Sequence, residues 1–331
     1  MWENATGGLG NRKSNRGFGV ELEVDILGSQ ARKERNIANI IGELAEYGLI
    51  QQNSPYSHGY TGTRGYSRNF WSVEYDSSVT IEIISPILYD EKVTWEELDL
   101  VCSIIEANNG IATRRTGGHV HVGFGEGLET YKERVLGYKT LLNVTECYED
   151  ELFRLATNPY SLDGKHRGLG YCIPNRRICP DYYNYKSIWE FTPIQHAVIN
   201  FWNAKGRSKK DHIEFRLWDG SLDPAVIQTH IKLSLAIAAY ATRAVRMRQE
   251  VPNFSVYNPL GTAIKEDKRL YEASYGFRKL LDTIFYRESD KAQATALFAI
   301  NNWQENQRIP RWHWDRALYL HDAWYNYLCG Y

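Results

Sequence analysis

The sequence contains no Cys-x-x-Cys pair, no Gly-x-x-x-x-Gly-Lys-Ser/Thr run, no apolar stretch approaching the ~18 residues of a membrane span, and no excess of one charge. Each absence excludes something. Without the glycine-rich lysine loop, any nucleotide is held by some other device than a P-loop. With 39 basic against 40 acidic side chains, neither a nucleic acid nor a membrane surface is implied as an obligatory partner. The five cysteines, Cys102, Cys147, Cys172, Cys179 and Cys329, are odd in number, which suits a reduced intracellular protein. The N-terminus lacks the basic-then-apolar order of a signal peptide, so a soluble, cytoplasmic protein is expected. No internal repeat is visible.

Aromatic residues are what the chain has in quantity, with 23 Tyr and 10 Trp. Many fall in the last third, as in "RWHWDRALYLHDAWYNYLCGY", where they read as helix packing or a subunit contact and are compatible with a homo-oligomer. Residues 1–16 are polar and Gly-rich and read as a flexible tail. A main domain is expected over 17–250, and a helical, aromatic-rich region packed on it over 251–331.

Within the main domain, "FGVELEVDI" alternates as a strand, and "RKERNIANIIGELAEYGL" carries Ile37, Ile40, Ile41 and Leu44 at helical spacing. A second strand region follows in "FWSVEYDSSVTIEIISPIL". Thr94 and Glu97 have the spacing of a capping box, with Gly110 closing that helix. A long helix is expected from about 129 to 156. The stretch 158–185 has neither period and reads as a loop covering a site; its Cys172 and Cys179 read as bystanders. "HAVINFW" and "HIEFRLW" read as paired strands joined by a basic turn, and Asp223 with Pro224 caps a long helix reaching Arg248. Strands flanked by helices give an α+β fold with a helical C-terminal part.

Strand parity gives the same result four times. Val20, Leu22 and Val24 oppose Glu21 and Glu23, and Val120 and Val122 oppose His119 and His121. Val79, Ile81 and Ile83 oppose Asp76, Ser78, Thr80 and Glu82, and Ile213, Phe215 and Leu217 oppose Glu214 and Arg216. Solvated outer faces of amphipathic strands explain such a pattern too. These polar faces, however, carry no lysine and are rich in carboxylates and imidazoles. Clustered carboxylates raise one another's pKa unless cations sit among them, and oxygen-rich clusters with an imidazole suit Mg²⁺ or Mn²⁺.

"GFGVELEV", "WSVEYDSSVTIEIISP", "GGHVHVG" and "IEFRLWDGSLD", in this order, resemble the phage-type amidoligases of the glutamine synthetase and γ-glutamylcysteine synthetase superfamily of carboxylate-amine ligases. The resemblance covers Gly17 to about Val245. It implies a glutamine synthetase-like curved antiparallel sheet with helices on its outer face, and ATP with Mg²⁺ or Mn²⁺ as cofactors. It also implies a carboxylate-bearing and an amine-bearing substrate joined through an acyl phosphate, in the host cytoplasm if the protein is phage-encoded. By position, Glu21, Glu23, Glu82, His119 and Glu214 match metal ligands. His121 matches the histidine near the nucleotide phosphates, and Arg216 the arginine that meets the transferred phosphoryl group. Asp76 matches a catalytic position, although its own element is Asp-Ser-Ser where the family has Asp-Gly-Ser. Arg176, Arg177 and Arg207 are candidates for phosphate-binding arginines.

Two other readings stand beside this one. A cupin-like single-metal enzyme would use His119, His121 and Glu126, but needs a further histidine from a nearby strand, and the next in the chain is His166. A non-catalytic peptide-binding or assembly protein on the same fold would use the aromatic C-terminal helices.

Overall fold

The alternation in "FGVELEVDI" forms strand β1 (Phe18–Ile26), and the same period builds the strands around it. The computed structural model describes residues 16–50, 69–125, 127–156, 172, 181–191, 197–201, 212–247 and 276–302. After β1 come α1 (Gln30–Glu46), β2 (Ser72–Glu74), β3 (Ile81–Ile84), α2 (Lys92–Ala107), β4 (Gly110–Ile111) and β5 (Gly117–Gly123). These are followed by α3 (Tyr131–Cys147), α4 (Glu149–Ala156), β6 (Ile199–Asn200), β7 (His212–Asp219), α5 (Pro224–Arg246) and α6 (Glu288–Asn302). A further helical stretch occupies 276–284. The described strands pair antiparallel in the order β2-β3-β1-β5-β7-β6, with β4 joined to the end of β1. The fold is α+β.

One side of this sheet is apolar and covered. Val20, Leu22, Val24, Ile81, Ile83, Val120, Val122, Ile213 and Phe215 are all buried, and α1, α4 and α5 pack against β1, β7 and β5 respectively. Trp95 of α2 stacks on Phe18 with ring centroids 5.8 Å apart. Trp218 stacks on His230 of α5 at 4.5 Å and donates its indole N–H to Ser234 at 3.0 Å. Helix α5 begins as expected. The Asp223 side chain accepts from the Ala225 amide at 2.9 Å, and Pro224 occupies the first turn, where its missing N–H costs nothing. Its interior is buried on nearly every face because α2, α3 and α6 also pack on it.

Several local expectations are corrected. Residues 77–80 are bends, so the second acidic strand starts at Ile81 and is shorter than its alternation suggests. Helix α2 starts after Glu91 and leaves Thr94 inside it. Glu97 instead accepts from the indole N–H of Trp71 at 2.5 Å, so its carboxylate serves a neighbouring element and makes no capping box. The left-handed residue after α2 is Asn109 (φ 61°), not Gly110. Gly110 is needed for space, since a Cβ there would lie 2.3 Å from Ile105. The single helix expected over 129–156 breaks at Tyr148 into α3 and α4, and α4 lies against β7 and α6. A capping box, Thr130 with Glu133, opens α3.

The tail over 1–15 and the aromatic stretch over 303–331 lie outside the described residues. Arg16, by contrast, is buried and donates to the Gly123 carbonyl and to the Thr242 hydroxyl (3.1 Å). Most of the expected covering loop also lies outside the described residues, but its last part does not. Tyr182 is buried and Asn143 donates to Tyr183 at 2.9 Å; just beyond the loop, Ile188 and Phe191 are buried and the Tyr131 hydroxyl accepts from Ile188 at 3.0 Å. That end is docked on α3. Among the described residues, no helix is long and apolar enough to cross a membrane.

Candidate active site

The register of the sheet converts four separate sequence patterns into one band of polar side chains. Glu82 stands opposite both Glu23 of β1 and Glu74 of β2. One step along β1, Glu21 stands opposite His119 of β5. Further across, His121 stands opposite Glu214 of β7, and Glu214 opposite Asn200 of β6. Directly opposed residues share a face, so the band runs diagonally over the side of the sheet opposite α1, α4 and α5. A β-bulge in β7 lies beside it, where the pairing shifts between Gly118 and Val120 opposite Arg216 and Leu217.

Four of the five expected ligands, Glu21, Glu82, His119 and Glu214, converge in two overlapping groups, joined by His121, which the sequence reading placed near the nucleotide phosphates. Glu21, Glu82 and His119 form one, and Glu21, His121 and Glu214 the other. Within each group, one potential ligand atom per residue lies within 4.8 Å of the others. Glu21 belongs to both. Its Oε2 is 2.9 Å from His119 Nδ1, and its Oε1 is 2.8 Å from His121 Nε2. Glu23 borders the first group without joining it. One of its oxygens accepts the Gly117 amide at 2.5 Å, and the other lies 3.5 Å from His119 Nε2. Arg216 is brought to the site, where its guanidinium pairs with Glu214.

Asp76 sits at the rim. Its Oδ1 accepts from the Ser78 amide at 2.6 Å and from the Ser78 hydroxyl at 2.5 Å, the contacts of an aspartate that caps its own turn. Its charge is still felt by Glu82.

Charge crowding in the band is severe. Burial, then the neighbouring charges of Glu21, Glu23, Asp76 and Glu74, pushes the Glu82 carboxyl up to about 9. Burial also works to raise Glu21, but the charge of His121 and the hydrogen bonds of His119 and His121 outweigh it and hold that carboxyl well below its usual value. His121 is raised: burial opposes its charge, and the Glu21 and Glu214 carboxylates more than compensate. A carboxyl driven up by burial, with other carboxylates adding to the shift, is a place where a cation relieves repulsion. Carboxylate oxygens with one imidazole per group fit a hard divalent ion.

Four residues of this face escape the sequence reading. Glu74 and Asp25 extend the acidic rows of β2 and β1. Asp25 is buried, 2.8 Å from Arg115 Nη2 and 2.8 Å from the Thr113 hydroxyl. His212 meets His121 edge to face with centroids 5.1 Å apart, and Asn200 donates to Glu214 at 2.6 Å. Parity alone finds Asp25, two residues beyond Glu23, and His212, two residues before Glu214. Arg176, Arg177, Arg207, Glu126 and His166 lie outside the described residues, as does Cys179, while Cys172 is buried.

No family model matches the chain, and no curated protein matches it. Among solved structures, the complex between prokaryotic ubiquitin-like protein Pup and its ligase PafA is similar to it at 11% sequence identity with a TM-score of 0.41, over 94% of this chain and 64% of that chain. The chain therefore spans less than two thirds of that neighbour's length. At such identity and score, the likeness assigns neither an activity nor a residue role.

Proposed function

We propose that the chain is an ATP-dependent carboxylate-amine ligase that forms an amide or isopeptide bond through an acyl phosphate. The observation that carries this reading is the pair of donor groups sharing Glu21, with the Arg216 guanidinium beside them at Glu214. The resemblance to amidoligases of the four strand motifs that supply these residues also supports it.

Joining a carboxylate to an amine is uphill in water, so the carboxylate must first be activated. The γ-phosphoryl group of ATP passes to a carboxylate oxygen, the bond to the bridging oxygen breaks, and ADP departs. The amine then attacks the acyl carbon and inorganic phosphate leaves. Glu21, Glu82 and His119, and Glu21, His121 and Glu214, are the residues that would hold Mg²⁺ or Mn²⁺. When bound, such ions neutralise phosphate charge. Glu23, tied to the Gly117 amide, flanks His119 and fixes its surroundings. Arg216 faces the charge that spreads over the transferred phosphoryl oxygens, and its planar fork matches two of them. The substrates are a carboxylate-bearing and an amine-bearing molecule, such as an amino acid, a peptide, a protein or a cell-wall component.

The test is mass spectrometry of a reaction containing the protein, ATP, Mg²⁺ and either pooled amino acids or a host-cell extract. A product lighter by one water than the sum of two components, formed together with ADP, is expected. Melting curves that ignore Mg²⁺ and ATP, with no such product, would overturn the reading.

His212 beside His121 lends one observation to the single-metal alternative. Stoichiometric zinc or iron retained through purification would favour it over the ligase.

A further inference from the structure

Glu214 is held from two sides. Arg216 and His119 address its Oε1, the latter with Nδ1 at 3.5 Å, while the Asn200 side-chain amide donates to Oε2 at 2.6 Å. Asn200 is 8% exposed, stands directly opposite Glu214 in the β6–β7 register, and is flanked by the buried Ile199 and Phe201. A polar side chain on a two-residue strand between two apolar neighbours is an unusual choice for packing alone. Leucine has the same branched skeleton and leaves no donor to satisfy. An amide donor, unlike a lysine or arginine, fixes a carboxylate without cancelling its charge. The amide thus adds no charge of its own to the carboxylate, whose other oxygen lies among Arg216 and His119 at the edge of the donor group.

We infer that Asn200 is a positioning residue for the cation site formed by Glu21, His121 and Glu214, acting through its bond to Glu214 Oε2, which holds that carboxylate in the group with Glu21 and His121. This inference rests on the proposed metal site. Asn200 itself touches neither cation nor substrate. Partners of this kind typically change metal affinity about 10–100-fold when removed, because the ligand must then be ordered at the moment of binding.

The experiment is Mn²⁺ titration of the whole protein without nucleotide, followed by the electron paramagnetic resonance signal of free Mn²⁺. It compares wild type, Asn200→Leu, Glu214→Gln and the double variant, with melting in metal-free buffer as the control for folding. Asn200→Leu is expected to weaken Mn²⁺ binding about tenfold in wild type and to have no further effect in the Glu214→Gln background, since its action passes through Glu214. A role in packing alone would lower both backgrounds equally or neither. Unchanged Mn²⁺ affinity in folded Asn200→Leu, or the same loss with Glu214 already replaced, overturns the inference while leaving the metal site intact. A wild type that binds no Mn²⁺ overturns both the site and the inference. If Asn200→Leu does not fold, Asn200→Ala serves in the same comparison.

Discussion

Glu82 and Glu23 face each other across the β3–β1 pairing, two carboxylates on the polar face of the sheet where neighbouring strands run ~4.8 Å apart. Unlike surface acids, they have little water to screen them, since Glu23 is 6% exposed. Glu74, on the other side of Glu82, adds to the crowding. The arrangement holds Glu82 protonated far above the ordinary carboxylate range, so the metal-free protein stores electrostatic cost at this position.

That cost sets a pH dependence. Because the folded-state pKa of Glu82 is raised from 4.5 to about 9, the folded protein binds an extra proton between those values. The stability this group contributes is complete below pH 4.5 and is lost as pH rises through 9. Replacing it with glutamine should flatten that loss. In metal-free buffer near pH 8, Glu82→Gln should melt several degrees above wild type, a gain on the order of a few kcal/mol. With Mg²⁺ and ATP the order should narrow or reverse, since a ligand is missing. Paired melting curves with EDTA and with Mg²⁺–ATP measure both signs. A variant less stable than wild type in EDTA would remove the crowding argument.

Parity along β1, β5 and β7 made the acidic and imidazole face legible, because a strand fixes the side of each residue regardless of its partners. What parity does not carry is the register between strands. That Glu74, Glu82 and Glu23 form one row, and His121, Glu214 and Asn200 another, depends on pairings between segments up to about a hundred residues apart. Asn200 was invisible for this reason: a neutral amide in "HAVINFW" acquires meaning only opposite Glu214. Thr94 and Glu97 misled in the other direction. Their spacing is that of a cap, but Glu97 serves the Trp71 indole, a long-range contact that overrides the local signal. The bond of Asp76 to its own turn is likewise a local feature that the motif around it does not display.

His230 provides a second pH signature, remote from the acidic face. It is buried against Trp218, its Nε2 lies 3.0 Å from the Leu155 carbonyl, and burial depresses its pKa from 6.5 to about 4. Since the folded-state value is lowered, the stability it contributes is present above pH 6.5 and lost as pH falls towards 4. The size is about 3 kcal/mol from the two values. In His230→Phe, which keeps the stack on Trp218, the acid limb of a urea-denaturation series between pH 6.5 and 4 should become correspondingly shallower. An unchanged slope would show that His230 does not titrate with unfolding.

Lys232 and Asp290 form a buried ion pair of 3.0 Å that clips α6 to α5, with Gln293 accepting from the same ammonium at 2.8 Å and bonding Gln228 at 2.9 Å. Removing one member strands the other charge in the core. Lys232→Met or Asp290→Leu alone should cost about 3–5 kcal/mol, and the double replacement should recover much of it. Urea denaturation of the three variants makes the comparison. Additive losses would mean that the two charges do not depend on each other.

Glu214 and Arg216 provide the sharpest division of labour, since both project from one face of β7 and pair with each other. Glu214→Gln removes a carboxylate from the Glu21–His121 group, so Mg²⁺ and ATP should bind more weakly together, the remaining phosphate charge being less neutralised. Arg216→Lys keeps the positive charge and a partner for Glu214, and loses only the planar donor fork. Nucleotide binding should therefore largely survive, while ADP formation falls on the order of a hundredfold or more, as when one transition-state donor is removed. Both variants should fold, because the buried Ile213 and Phe215 carry the packing of β7 on its helix-covered side. Calorimetric titration with Mg²⁺–ATP separates binding from turnover, ADP release with an identified acid and amine measures the chemistry, and circular dichroism checks the fold. Full turnover in a well-folded Arg216→Lys protein would place the guanidinium away from the transferred phosphoryl group, and the ligase reading of this face would have to be given up.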